Sequence, residues 1–433
     1  MMFWKRCIAV GVAILVGLGA ALWGLAAPAI AVAQPIAQTP EPSPTQLYSN
    51  MPSPTDILSR LFTESDLQRV WFADSFLAQI SLAEVSQIIE GIKSSVGAFQ
   101  SVEDVPNGFM LSFERGQVPA HLALNARGQI TGLLFETPQL TALSLDQLIA
   151  EFEMLPGSVH ILALKENEAV AELNASDPLA VGSTFKLFIL SALQQQIEAG
   201  VHRWDEVVAL QEDLKSLPSG FLQTWPAGSQ LTVESLATLM ISQSDNTATD
   251  HLLHFVGRQA VEDLLPGSAE DDSRNRPFLA TREAFVLKDP ANARLLQRWR
   301  RSRERRSLLA PLAALPMPDV NIFNAGPQAL DVEWFFTAKE LCQVMKSVAD
   351  LPLMQINPGL LNSTDWQTVA FKGGSEPGVE NFTTYLVDQQ NNHYCIAATW
   401  NQSTGIDELK FSTLYRSLIE GVRAIDSAPD SSL

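Results

Sequence analysis

Apolar residues recur at helical spacing from Asp56 to about Gly97: Ile57, Leu58, Leu61 and Phe62, then Leu82, Val85, Ile88, Ile89 and Ile92. Recurrence at i, i+3 and i+4 predicts amphipathic helices there. The rhythm then changes. Residues 109–113, 120–124 and 130–135 are short apolar or alternating runs, separated by Glu114-Arg115-Gly116 and Asn125-Ala126-Arg127-Gly128. They predict antiparallel strands joined by turns. Helices followed by a meander make residues 56–140 a small α+β domain.

A second pattern starts near Ser144. Residues 159–164 and 169–173 predict a hairpin around Lys165-Glu166-Asn167-Glu168, and a strongly apolar helix runs from Ser183 to near Gly200, a plausible cap. Helical spacing then dominates until strand character returns at residues 368–371, 382–387 and 394–400, the last two joined by the polar turn 388–392. Two strands first, helices between and three strands last predict one five-stranded antiparallel sheet built from both ends of a domain spanning 144–425. Residues 426–433 read as a disordered tail, and no internal repeat is visible.

The beginning of the chain has another character. Lys5 and Arg6 precede an apolar run over residues 8–25, and Ala31-Val32-Ala33 precedes Gln34. A positive start, an apolar core and small residues before the cut predict a signal peptide over residues 1–33. The run is also long enough to serve as an uncleaved anchor. Cys7 lies before the apolar core, too early for a lipoprotein cysteine. Residues 34–55, rich in Pro, Ser, Thr and Gln, read as a linker. An exported protein, periplasmic or extracellular, follows, touching membrane only through its leader.

Charge narrows the partners. The formal charge of −19 loses Lys5 and Arg6 with the leader and becomes −21. So acidic a chain is repelled by phosphate backbones, which excludes nucleic acid as a partner. After cleavage only Cys342 and Cys395 remain, and both one disulfide and two buried thiols fit their apolar surroundings. The oligomeric state is not written in the sequence.

Chemistry begins at Ser183-Thr184-Phe185-Lys186. Residues three apart share a helix face, so Lys186, if uncharged, can take the Ser183 proton as general base. Its apolar neighbours favour the uncharged form by desolvation. Ser244-Asp245-Asn246 follows in a turn between apolar helices over residues 233–241 and 248–256. On one reading Asp245 or Asn246 merely caps the second helix. In the catalytic alternative Ser244 shuttles the proton and Asn246 holds substrate. Lys372-Gly373-Gly374-Ser375 ends the strand over residues 368–371. It reads either as a terminating turn with a solvated lysine or as a substrate edge. There Lys372 would attract a carboxylate, Gly374 would allow close approach, and the Ser375 and Ser183 N–H groups would stabilise an oxyanion.

Taken together and in this order, Ser-x-x-Lys, Ser-Asp-Asn and Lys-Gly-Gly resemble the active-site motifs of class A β-lactamases and penicillin-binding proteins. The resemblance covers about residues 150–425. It implies an antiparallel sheet with a helical lobe, Ser183 as acyl-forming nucleophile, Lys186 as base and Ser244 as shuttle, with Asn246, Lys372, Gly374 and Ser375 binding substrate. It implies no metal and no organic cofactor. Two departures stand out: Gly373 replaces a hydroxyl residue, and the Glu-x-x-Leu-Asn segment that activates the deacylating water is missing. Glu283 lies in that region, and a helix-capping role is favoured for it over a water-activating one.

The segments 372–379 and 278–283, with a small α+β domain in front, also resemble the two-domain β-lactamase-like proteins of clavulanic-acid biosynthetic clusters. That family pairs a cystatin-like or steroid-isomerase-like domain with the hydrolase domain. The expectation is a serine hydrolase, a β-lactamase or esterase, acting on an amide, lactam or ester of a small or peptidoglycan-derived molecule. The alternative is a non-catalytic or penicillin-binding protein of the cell wall. Asp104 and Glu114 read as turn or surface residues. His251, His254 and His393 lack the partners of a metal site. Arg294, Arg298, Arg300, Arg301, Arg303, Arg305 and Arg306 read as a solvated helix face.

Overall fold

A computed structural model describes residues 52–140, 143–265 and 274–425. The predicted leader, the linker up to residue 51 and the tail lie outside the described residues. The chain divides into two compact units near residue 141.

In the first unit, helix α1 (Pro54–Thr63) starts two residues inside the stretch read as linker. Local chemistry explains the early start: Ser53 Oγ accepts from the Asp56 N–H at 3.1 Å and the Asp56 carboxylate accepts from the Ser53 N–H at 3.0 Å, while Pro54 has its φ preset for a first helical turn. Helix α2 (Leu82–Val96) is capped the same way by Ser81 and Glu84. Strands β1 (Phe99–Val105), β2 (Gly108–Phe113), β3 (Gly116–Leu124) and β4 (Ile130–Phe135) form a meander, and β5 (Gln139–Leu140) pairs with β3. The apolar pattern misses β1 because most of its positions are half or fully exposed polar residues. Phe62 of α1 packs against Phe99, Phe113 and Phe135, with ring centroids 5.2–5.5 Å apart. Asp104 and Glu114 are exposed.

The second unit opens with α3 (Leu145–Glu153), β6 (Ser158–Lys165) and β7 (Glu168–Leu173). Glu166 and Asn167 both take positive φ, 48° and 73°, the geometry of a two-residue hairpin turn. Helices follow, the longer ones being α4 (Lys186–Glu198), α5 (Val233–Ser242), α6 (Asn246–Val256), α7 (Thr281–Lys288), α8 (Ala293–Arg301) and α9 (Ala338–Val348). Then come β8 (Thr368–Glu376), β9 (Val379–Val387), β10 (His393–Asn401) and α10 (Glu408–Ala424). The sheet order is β8-β9-β10-β6-β7, antiparallel throughout. On one face α10 packs on α3, with Phe411 between Phe152 and Phe382. Helix α9 covers the other face and touches α4. Strand β9 is buried at every position, as expected of a strand covered on both sides.

Cys342 of α9 and Cys395 of β10 form a disulfide, which resolves the two readings of these cysteines. It closes a loop of 53 residues. Replacing both cysteines by alanine should lower the urea-unfolding free energy by about 3–4 kcal/mol, mainly by freeing the unfolded chain. An unchanged midpoint would show that the bridge adds nothing to stability. The arginine cluster lies on and after α8. Arg300 pairs with Asp331 at 2.6 Å, Arg306 with Glu262, and Arg305 lies over Trp299, while Arg294, Arg298, Arg301 and Arg303 are exposed.

Candidate active site

Ser183 lies in a 3-10 turn, Gly182–Phe185, and the α-helix proper begins only at Lys186. This corrects the expected helix start. In a 3-10 turn residues i and i+3 eclipse, so Ser183 and Lys186 share a face more directly than in an α-helix. Ser183 is partly exposed and lines a cavity of about 290 Å³, whereas Lys186 is fully buried. Thr184 donates to Asn381 Oδ1 of β9 at 2.6 Å, and Phe185 stacks on Trp334 with centroids 3.7 Å apart. These contacts fix the turn against the sheet.

Lys186 Nζ is the hub. It donates to Ser244 O at 2.6 Å, to Ser244 Oγ at 3.0 Å and to Asn246 Oδ1 at 2.7 Å. Ser244 sits between α5 and α6 in the left-handed region, φ 52°, a conformation that persists only where surroundings enforce it. The Ser219 hydroxyl also donates to its carbonyl at 2.6 Å. Asp245 takes the capping role: its buried carboxylate accepts from the N–H groups of Ala248, Phe221 and Leu222 at 2.7–2.9 Å. It therefore ties the 219–222 loop to the start of α6. Asn246, expected to hold substrate, lines the cavity, but its amide oxygen holds Lys186 and its Nδ2 donates to Leu217 O at 3.0 Å. It positions Lys186.

The third motif closes the group. Lys372 Nζ donates to Ser244 Oγ at 3.1 Å and to Gly373 O at 2.5 Å. Burial without a carboxylate partner lowers its pKa to about 7. Gly374 faces the serine turn so closely that an added methyl would lie 2.1 Å from Val181 O and 2.6 Å from Ser183 N. Opposite it, Gly182 has φ 49°, and a methyl there would lie 3.1 Å from Ser375 N. Two facing glycines thus bring the backbone nitrogens of Ser183 and Ser375 together.

Glu283 is engaged elsewhere. Its carboxylate takes both Arg258 amino groups, at 2.8 and 3.0 Å, and the Ala280 N–H at 2.8 Å at the start of α7. The same helix start rests on Asp250, which accepts from the Thr281 and Arg282 N–H groups; its burial raises its pKa to about 7. His251 is satisfied inside the core, accepting from the Gln211 N–H and donating to Thr247 O.

One cluster has no counterpart in the sequence reading. Lys288 Nζ, buried in the cavity wall, donates to Glu333 and, at 2.5 and 2.6 Å, to both oxygens of Glu376. Burial and the neighbouring Glu333 charge push the Glu376 carboxyl well above the usual carboxylate range. Its members are 45 and 88 residues apart. Only the sheet edge unites them, so no local spacing could reveal it.

Residues 141–284 match the beta-lactamase enzyme family. No curated protein matches the chain. Among solved structures it is similar to a beta-lactamase from Sphaerobacter thermophilus DSM 20745, at 19% identity and TM-score 0.46 over 66% of this chain and 97% of that one. PBP-A follows at 17% identity and TM-score 0.44, over 66% and 96%. A class A beta-lactamase representative from Bacteroides cellulosilyticus DSM 14838 gives 16% and 0.43, over 66% and 100%.

Proposed function

With the second unit as a β-lactamase- and penicillin-binding-protein-like domain, we propose that this protein is an exported serine hydrolase that passes through an acyl-enzyme on Ser183. The observation that carries the reading is the position of Ser244 Oγ, 3.0 Å from Lys186 Nζ and 3.1 Å from Lys372 Nζ. For this step Lys186 is the neutral amine, which gives up one of its three donated hydrogen bonds so that the Nζ lone pair takes the Ser183 proton as Ser183 Oγ attacks an amide, lactam or ester carbonyl. The oxygen that gains the electron pair is stabilised by the Ser183 and Ser375 N–H groups. As the carbonyl re-forms, the leaving group departs with a proton relayed from Lys186 through Ser244.

Hydrolysis of the ester then needs an activated water. Arg258 and the α7 start occupy Glu283, and this favours a second reading: a slowly released acyl-enzyme, closer to a penicillin-binding protein than to a resistance enzyme. Intact-mass spectrometry over time with a fluorophosphonate, benzylpenicillin and simple acetyl esters separates the two. The expected result is one adduct on Ser183, absent from Ser183→Ala, with the penicilloyl adduct decaying slowly. No adduct with any of these probes would overturn the proposal.

Lys372 gives the site a pH signature. Below about pH 7 its amine is charged and attracts a substrate carboxylate; above, that attraction is lost. The ratio of acylation rate constants, anionic benzylpenicillin over a neutral acetyl ester, should fall as pH rises through 7. Taking the ratio cancels ionisations common to both reactions. A flat ratio between pH 5 and 9 would remove Lys372 from carboxylate recognition.

The buried disulfide supports an oxidising destination, in keeping with the leader over residues 1–33. We read the first unit as cystatin-like, with no catalytic set of its own.

A further inference from the structure

An ester on Ser183 is hydrolysed only if a base activates water, and Glu283 is occupied by Arg258 and the α7 start. The sheet brings another carboxyl to the serine. Side chains alternate along a strand, and β8 pairs with β9 without a register shift, so Lys372, Gly374 and Glu376 share one face. It is the face of the serine turn. Lys372 Nζ reaches Ser244 Oγ at 3.1 Å, and a methyl on Gly374 would lie 2.6 Å from Ser183 N. Glu376 stands two residues, about 7 Å of extended chain, beyond that contact. It lines one cavity with Ser183, Asn246 and Thr281.

Two neighbours fix it there. Lys288 Nζ, at the end of α7, donates to both Glu376 oxygens at 2.5 and 2.6 Å and also to Glu333. Glu333 is placed in turn by Trp334, which stacks on Phe185 and accepts from the Val181 N–H at 3.0 Å. The Glu376 side chain is 18% exposed, against 2% for Lys288 and 1% for Glu333, so of the three it is the one that meets water. We propose that Glu376 is the base that activates the deacylating water in the Ser183 cavity, with Lys288 and Glu333 as its positioning residues. The proposal rests on the acyl-enzyme reading above and adds the step that ends it. Glu376 takes a proton from the water as the water oxygen bonds to the acyl carbon. The bond from that carbon to Ser183 Oγ then breaks, Oγ regains the proton by way of solvent, and the acid product leaves. Burial and the Glu333 charge hold the Glu376 carboxyl well above the usual carboxylate range. It therefore keeps a proton until the pH rises, and is the stronger base once ionised. Slow decay near neutral pH follows. Other charged groups around the cavity are Glu380 and Glu408 in its lining and Lys372 on the Glu376 face.

The test follows the benzylpenicillin adduct of the full-length protein by intact mass at about pH 5 to 9, with formation and decay measured separately. In the parent the decay rate constant should rise with pH as Glu376 ionises. Glu376→Gln should lower the ratio of decay to formation rate constants by about 10²-fold or more, the contribution of a general base, and flatten the rise. Glu333→Gln removes a neighbouring negative charge and should move the rise to lower pH, which a merely structural role would not do. That shift carries the test if Glu376→Gln does not fold. An adduct that never decays, a Glu376→Gln decay within tenfold of the parent or with its pH dependence, or a Glu333→Gln profile superimposable on the parent's would overturn Glu376 as the base and leave the acyl-enzyme standing. No adduct with benzylpenicillin or a fluorophosphonate overturns the acyl-enzyme, and the deacylating role with it.

Discussion

Lys186→Met slows fluorophosphonate labelling of Ser183 by about 10³-fold or more, the range lost when a nucleophile's base is removed. Methionine matches the length of the lysine stem and keeps the apolar packing, so the change isolates Nζ. Asn246 Oδ1 loses the donor it has among the described residues, whereas Ser244 O keeps the Ser219 hydroxyl and Ser244 Oγ keeps Lys372 Nζ. Each buried acceptor left without a partner costs about 1–3 kcal/mol, so a lower melting temperature accompanies the loss. Ser244, held in a left-handed conformation partly by the Lys186 bonds, relaxes as well. Folded protein with a labelling rate within tenfold of the parent would remove Lys186 as the base and move that role to Lys372.

Gly374→Ala produces the second large effect, by geometry alone. Its methyl would meet Val181 O at 2.1 Å and Ser183 N at 2.6 Å, both backbone atoms that cannot swing aside. Strand β8 must back away from the serine turn, and the two oxyanion donors separate. Loss of one such donor typically lowers the rate by about 10²–10³. The neighbouring Gly373→Ala is the control. Its methyl meets the Phe371 ring edge at 3.0 Å, and a small ring movement relieves it. Acylation rates of the two variants, measured side by side, should therefore differ by about tenfold or more. Equal rates would show that close approach of β8 to Ser183 is not what organises the carbonyl site.

The three motifs were legible because each is a short run of neighbours whose side chains serve one place. The five-stranded sheet was legible for a similar reason: its strands are apolar runs bounded by polar turns. What escaped was anything assembled across the chain. Lys288, Glu333 and Glu376 carry no pattern in sequence, and Glu380 looks like an ordinary strand glutamate until its burial is seen. Glu283 could be weighed as a cap, but Arg258, its partner 25 residues away, could not be named. The role of Asn246 shifted for the same reason, since the Leu217 carbonyl that turns its amide is a tertiary contact. Strand β1 was missed because exposed polar positions outnumber its apolar ones.

The hydrogen bond from Thr184 to Asn381 joins residues 197 apart. During synthesis the serine turn therefore emerges long before the strand that fixes it exists. At about 5–20 residues per second the delay is roughly 10–40 s. For that interval Ser183 lacks the close contact with Gly374, which forms only when the last strands pair. On the proposed mechanism, acylation at Ser183 therefore awaits completion of the domain.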